Sequence, residues 1–167
     1  IHNIHQELQN QSGKKFHSHS HTLLIDREHI IVKKDNPVSV LKEVEIVENT
    51  EEIHMPVHLV FSKIEYSTDL ILEKEKDVAL LDYSALQFPL IIRQWKKGDF
   101  FFPLGMKNRK LLSDFFIDNK FSIFEKEKTW LLVSGNDIVW IIGHRIDNRF
   151  KITSQTKNIL RIEQIDR

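Results

Sequence analysis

Hydrophobic positions fall into short runs broken by polar turns, and most runs have the length of strands. Lys15–Ile25 and His29–Lys34 are strand-like and meet at Asp26-Arg27-Glu28, which predicts a hairpin. Asp35-Asn36-Pro37 is a turn signal. Glu43–Glu48 mixes acidic and aliphatic residues as a solvated edge strand would, its carboxylates opposing edge-to-edge pairing. Pro56–Tyr66 is apolar enough for a strand or a short helix, and the pattern does not choose between them. Ala79–Tyr83 and Pro89–Arg93 are short buried-strand candidates. Thr129–Val133 and Ile138–Ile142 flank Ser134-Gly135-Asn136-Asp137, a hairpin with a four-residue turn. Phe150–Thr153 and Asn158–Glu163 are the last predicted strands. In the second, Ile159, Arg161 and Glu163 alternate with Leu160 and Ile162.

Helical spacing is rarer. Ile1, Ile4, His5 and Leu8 predict a short helix over residues 1–12, with Gly13 as its stop. Leu111 with Phe115, and Leu112 with Phe116, are i, i+4 pairs and predict a helix over Lys110–Phe116. Strands outnumber helices and no βαβ repeat occurs. The expected class is α+β, with a mainly antiparallel or mixed sheet and short helices.

Composition narrows the options. A chain of 167 residues suits one domain, or one domain with a small annex. At that size roughly 70% of the unfolded surface can be buried. With no cysteine, a disulfide framework, a cysteine zinc site and a thiol nucleophile are excluded. No apolar run approaches the roughly 18 residues of a membrane span, and no signal-peptide pattern is present, so no membrane partner is expected. The chain opens Ile1-His2-Asn3, and the expectation is a piece of a longer protein.

Charge is balanced in total, 24 basic against 24 acidic residues, but not along the chain. From Arg93 to Ser113, six cations (Arg93, Lys96, Lys97, Lys107, Arg109 and Lys110) face one acid, Asp99. From His144 to Arg161, five cations including Arg145 and Arg149 face Asp147 alone. Glu43, Glu45, Glu48, Glu51 and Glu52 supply the opposite excess. Clustered cations of this kind matter more for a nucleic-acid partner than the total does.

Three chemistries compete for these residues. His17, His19 and His21 alternate, and on one strand they would share a face at metal-ligand spacing; the competing reading is a polar solvent-facing side. No HExxH accompanies them, and no metal ligand is assigned. GxxxxGK[ST] is absent, and neither Ser12-Gly13 nor Ser134-Gly135 continues into a glycine-rich SGGxDS loop, so no catalytic residue is assigned. The stretch GDFFFPLGMKNRKLLSDFF sets a basic cluster beside a glycine turn. Such a cluster can hold phosphates, with Trp95 as a stacking surface, or it can be a solvated loop with Trp95 in the core.

The ordered motifs in the second half tilt that choice. LDYSALQFPLIIRQWKKGDFFFPLGMKNRKLLSDFFIDNKF followed by DIVWIIGHRIDNRFKIT resembles the C-terminal domain of bacterial tRNA(Ile)-lysidine synthetase. The resemblance covers Ala79 to Ile162, and SGKKF with LLIDREHIIV resembles the stretch before that domain. It implies a linker with helix and hairpin over 1–78 and a tRNA-binding domain over 79–167. The implied fold is layered, with a β-sandwich element, similar to a domain of the phenylalanyl-tRNA synthetase beta subunit. It also implies a cytoplasmic parent enzyme, a ligase that uses ATP and Mg to join lysine to the wobble cytidine of tRNA(Ile). That chemistry lies in an N-terminal catalytic domain carrying SGGxDS, so this stretch alone is expected to be inactive and to need no cofactor of its own. The implied partners are tRNA(Ile) and the catalytic domain, with a homodimer as a further option. The implied RNA contacts are Arg93, Lys96, Lys97, Lys107, Arg109, Lys110, Arg145 and Arg149. Gly98, Pro103 and Gly105 would shape the loop, while Asp99, Asp114 and Asp147 would orient cations or cap turns. A non-catalytic interaction or dimerisation domain without RNA contact is the alternative.

Overall fold

The computed structural model describes residues 14–26, 29–34, 43–67 and 75–165. The predicted helix over 1–12 and the turn at 35–37 lie outside them. In chain order the elements are β1 (Lys15–His17), β2 (His21–Asp26), β3 (His29–Lys34), β4 (Glu43–Ile46), β5 (Glu52–Ile53), β6 (Leu59–Glu65), β7 (Val78–Asp82) and β8 (Leu90–Gln94). They continue as β9 (Phe100–Phe101), β10 (Lys110–Leu111), α1 (Leu112–Asp118), α2 (Ile123–Lys128), β11 (Trp130–Ser134), β12 (Asp137–Ile141), β13 (Arg145–Ile146) and β14 (Asn158–Gln164). Among the described residues no helix is long and apolar enough to cross a membrane.

The contacts divide the chain into two compact units. One comprises Ile1–Val40 with Phe121–Lys126. Its described strands form an antiparallel sheet in the order β1-β2-β3. The run Lys15–Ile25 is therefore two strands, not one. Ser18 makes the break: its hydroxyl donates to the His21 carbonyl at 2.9 Å and accepts the His21 amide at 3.0 Å. The start of α2 also belongs here and closes a capping box. Ser122 N donates to Glu125 Oε2 at 2.6 Å, and Glu125 N donates to Ser122 Oγ at 3.2 Å.

The second unit comprises Leu41–Lys120 with Glu127–Arg167. Five strands form one sheet in the order β13-β12-β11-β8-β4, and four form another in the order β5-β6-β14-β7. All these pairings are antiparallel. Ile46, Leu90, Ile92, Leu132 and Trp140 from the first sheet share one core with Leu59, Phe61, Leu81, Leu160 and Ile162 from the second. This is the expected sandwich element, and each such side chain contributes about 1.5–3 kcal/mol by leaving water. The fold is thus mostly antiparallel sheet with few helices.

Several expectations shift in detail. β4 is an edge strand, with Glu43 and Glu45 exposed and Ile46 buried. Pro56–Tyr66 resolves as the strand β6, paired along its length with β14. The β11–β12 turn is the two residues Gly135-Asn136, because Ser134 and Asp137 still pair. Phe150–Thr153 is not a strand: Asn148–Phe150 is a 3₁₀ turn, and Lys151 makes an isolated bridge to Leu81. A boundary between residues 78 and 79 does not fit the pairing. β4 and β6 come before it and pair with β8 and β14 after it, so the second unit reaches back to Leu41.

Candidate nucleic-acid interface

The basic loops are built from two turns and two buried carboxylates, Asp99 and Asp147. After β8 the chain reverses, with Asp99 N donating to Lys96 O at 3.1 Å. Gly98 has φ +92°, and no atom lies near where its Cβ would be, so the position needs glycine for its backbone angle and not for room. Asp99 then folds back over the turn. Its Oδ2 accepts Lys96 N and Arg93 Nη1, each at 2.8 Å, and its Oδ1 accepts Arg93 Nη2 at 2.9 Å. Arg93 is only 9% exposed. It is therefore a bidentate clasp that holds the turn shut, which corrects its assignment as an RNA contact: both terminal nitrogens of its guanidinium already have partners.

The second turn follows β9. Met106 N donates to Pro103 O at 2.8 Å, with Gly105 at φ +85°. The loop is fastened at four points to Ile146–Asn148, the end of β13 and the two residues after it. Leu104 N donates to Ile146 O, Asn148 N to Phe102 O, Gly105 N to Asn148 Oδ1 and Phe102 N to Asp147 Oδ2, at 2.7–3.2 Å. Asp147 has no exposed surface. Besides Phe102 N it accepts Arg149 N, Nε and Nη2 at 2.8–3.0 Å. One buried carboxylate thus joins loops far apart in sequence. Reading Asp147 as a group that orients cations is upheld. Asn148 went unrecognised, although an Asx side chain beside a turn is a known signal for such a bond.

Arg149 is committed in the same way. It donates to Asp147 and to Asp137 Oδ1 at 2.8 Å, and its guanidinium lies 4.5 Å from the Phe102 ring centre. The hydrogen bond to Asp147 chiefly holds its pKa above the ordinary guanidinium value. Lys110 pairs with Asp118 on α1. Neither is a free contact. The remaining five, Lys96, Lys97, Lys107, Arg109 and Arg145, are exposed and have no ion pair among the described residues. Arg109 rests 5.4 Å from the Phe100 ring centre, which orients it without neutralising it.

Aromatic side chains support these loops from below. Phe101 is fully buried and meets Phe115 edge-on at 5.3 Å. Trp95 is half-buried and meets Phe116 edge-on at 5.2 Å, as an anchor does. Leu104, Met106, Leu111 and Ile117 are exposed, and Phe100 is partly so. The loops therefore present apolar surface among their cations.

The three alternating histidines do not lie on one strand, and all are exposed. His17 ends β1 and His21 starts β2, across the Ser18–Ser20 turn, so they do not share a strand face. His17 Nδ1 lies 2.9 Å from Thr22 Oγ1. On the acidic side of the unit a groove of about 560 Å³ is lined by residues including Glu51, Glu52, Lys63 and Tyr83. There the Tyr83 hydroxyl donates to Glu48, which pushes its pKa up to about 12, and Lys63 Nζ sits 3.8 Å from the Tyr83 ring centre. The hydrogen bond with His58 holds the Glu52 carboxyl below its usual range.

Comparison with known proteins identifies the scaffold. Residues 1–35 match the family model described as the TilS substrate binding domain, and residues 90–163 match the TilS substrate C-terminal domain. The chain is 46% identical over 161 residues to the tRNA(Ile)-lysidine synthase of Parabacteroides distasonis, covering 94% of this chain and 36% of that protein. To the Bacteroides thetaiotaomicron tRNA(Ile)-lysidine synthase it is 34% identical over 160 residues, covering 96% and 35%. It thus spans about a third of the length of these curated relatives. The crystal structure of a TilS C-terminal domain shares the fold at a TM-score of 0.61, covering 75% of this chain and all of that one at 17% identity. A phenylalanyl-tRNA synthetase beta-subunit fragment from Pyrococcus horikoshii overlaps at 0.43 over 51% of this chain and 27% of that one, too little to weigh. With both family models in place and relatives along nearly its whole length, the chain belongs to the tRNA(Ile)-lysidine synthase family and carries that family's substrate-binding and C-terminal domains.

Proposed function

We propose that this stretch grips the body of tRNA(Ile) for a cytoplasmic ligase whose catalytic domain joins lysine to the wobble cytidine. The observation that carries the reading is the division of labour among the cations. Arg93 and Arg149 are spent on buried carboxylates, which fixes the loops. Lys96, Lys97, Lys107, Arg109 and Arg145 remain exposed on them. Fastened loops whose outer cations have no ion pair among the described residues suit a double-stranded RNA stem, which is recognised mainly by shape, phosphates and 2′-hydroxyls. ATP and Mg belong to the catalytic domain in this reading. The loops here do not fit a nucleotide: Gly98 and Gly105 sit in separate turns, and α1 starts at Leu112 behind Leu111, an N-cap without a side-chain hydrogen bond.

The test is tRNA binding over a salt series. Log affinity is expected to fall with log salt at a slope of roughly −2 to −4, as for three to four phosphates. Lys107→Glu with Arg109→Glu is expected to weaken binding about tenfold or more and to flatten that slope by roughly one to two. Salt-independent binding, or an unchanged double variant, would remove these loops from the contact. A second reading is favoured by the exposed Leu104, Met106, Leu111 and Ile117: a docking face for the catalytic domain or a second copy. It predicts that Met106→Ser and Ile117→Ser abolish association between domains or copies while tRNA affinity holds.

A further inference from the structure

Away from the basic loops, three ligand-type side chains meet on one hairpin. β5 pairs with the start of β6, Glu52 opposite Val60 and Ile53 opposite Leu59. Side chains alternate along a strand. Ile53 packs on the sandwich core, which sends Glu52 and His54 outward together. Met55-Pro56-Val57 then turns the chain back, and His58 arrives just before β6. The His58 carbonyl accepts the Ile165 amide at 3.1 Å, which fixes the backbone there. The result is a compact donor set. His58 Nε2 lies 2.6 Å from Glu52 Oε1, and His54 Nε2 lies 4.0 Å from the same oxygen. The two imidazole ring centres are 4.6 Å apart, and all three residues offer donor atoms within 4.8 Å of one another.

We infer that Glu52, His54 and His58 bind a divalent late-transition-metal ion of the zinc class. Two imidazole nitrogens and one carboxylate oxygen suit zinc, cobalt or nickel and not magnesium or calcium, which prefer all-oxygen sets. Bonds of about 2.0–2.1 Å in a tetrahedron put donors about 3.3 Å apart. The observed 2.6 and 4.0 Å straddle that value, so a small swing of the His54 ring, together with an opening of the Glu52–His58 pair by a fraction of an ångström, completes the set. The His54 side chain is 72% exposed and free to make that swing. Three protein donors leave the fourth position to water. Binding replaces the Glu52–His58 hydrogen bond: the proton it shares moves to His58 Nδ1 or to solvent, and both lone pairs turn to the ion. No redox change is involved. The ion would tie β5, the turn and β6 together on the rim of the acidic groove.

The test uses the untagged 167-residue chain, stripped with chelator and titrated with cobalt(II) and then zinc(II). One equivalent of cobalt is expected to give a visible absorption band, which zinc abolishes. His54→Gln is expected to weaken zinc binding about tenfold or more while the far-ultraviolet circular dichroism is unchanged. Glu52→Gln serves as a second, independent variant with the same expected loss. His17→Gln, His19→Gln and His21→Gln combined are expected to leave binding intact. No saturable binding would overturn the site, as would binding lost in the triple variant but kept in both His54→Gln and Glu52→Gln.

Discussion

The second unit carries opposite charges in two regions that handle them differently. In the basic loops, acids are buried beneath cations: Asp147 has no exposure, and the Asp99 side chain is 7% exposed. They consume Arg93 and Arg149 and leave Lys96, Lys97, Lys107, Arg109 and Arg145 without an ion pair among the described residues. On the acidic edge the partners lie near the surface, with Tyr83 on Glu48 and His58 on Glu52, while Glu43, Glu45 and Glu51 stay exposed. The first arrangement stiffens a surface around its charge. The second holds charge loosely on strand edges and a hairpin. A local excess of one sign therefore does not by itself mark a contact surface; the position of the counter-charges does.

Breaking the buried side of this contrast should have the largest effect. Asp147→Ala leaves Phe102 N without its acceptor and Arg149 half-paired, and is expected to cost about 3–4 kcal/mol in denaturant unfolding. tRNA affinity should fall with it because both loops loosen. Arg93→Leu strands Asp99 and is expected to cost about 2–3 kcal/mol by the same measurement. If either variant unfolds like the parent chain, the carboxylates are not the fasteners. Charge reversal on the other region sharpens the contrast. Glu45→Lys with Glu51→Lys should change stability by less than about 0.5 kcal/mol and leave tRNA affinity nearly unchanged, since exposed charges beyond a screening length of about 8 Å act weakly.

The smallest effect is spectroscopic. The Tyr83 phenol is stabilised in its protonated form, so its contribution is complete below the ordinary phenol value of about 10 and is lost as pH rises through about 12. Phenolate absorbance should therefore include a phase near pH 12 that Tyr83→Phe removes. Loss of that phase in Glu48→Gln as well would tie it to this pair.

The sequence carried the strands well where burial set the period. β7, β8, β11, β12 and β14 fall within a residue or two of their aliphatic runs, because each supplies the sandwich core. It carried Lys15–Ile25 poorly, since Ser18 reverses the chain through its own hydroxyl and no hydrophobic position changes there. The capping box of α2 is legible in Ser122-Ile123-Phe124-Glu125, a serine followed three residues later by a glutamate. At the candidate interface, residue type revealed the cations but not which were already paired. Arg93 and Arg149 look like Arg109 and Arg145 in sequence; only the approach of Asp99, Asp137 and Asp147 separates them. The Glu52, His54 and His58 cluster was hidden for a related reason: its members meet through a turn and not along one strand.

The fastening of Phe102 to Asp147 also sets an order of events during synthesis. The loop that starts at Gly98 is translated well before its fastener, which lies 45 residues beyond Phe102. At about 5–20 residues per second, roughly 2–9 s pass between the two. Through that interval the phenylalanines have neither β13 nor the buried carboxylate to hold them. The nascent chain thus spends seconds with its most aromatic segment unsecured, and the proposed RNA-binding surface takes shape only when the GHRIDNR segment arrives.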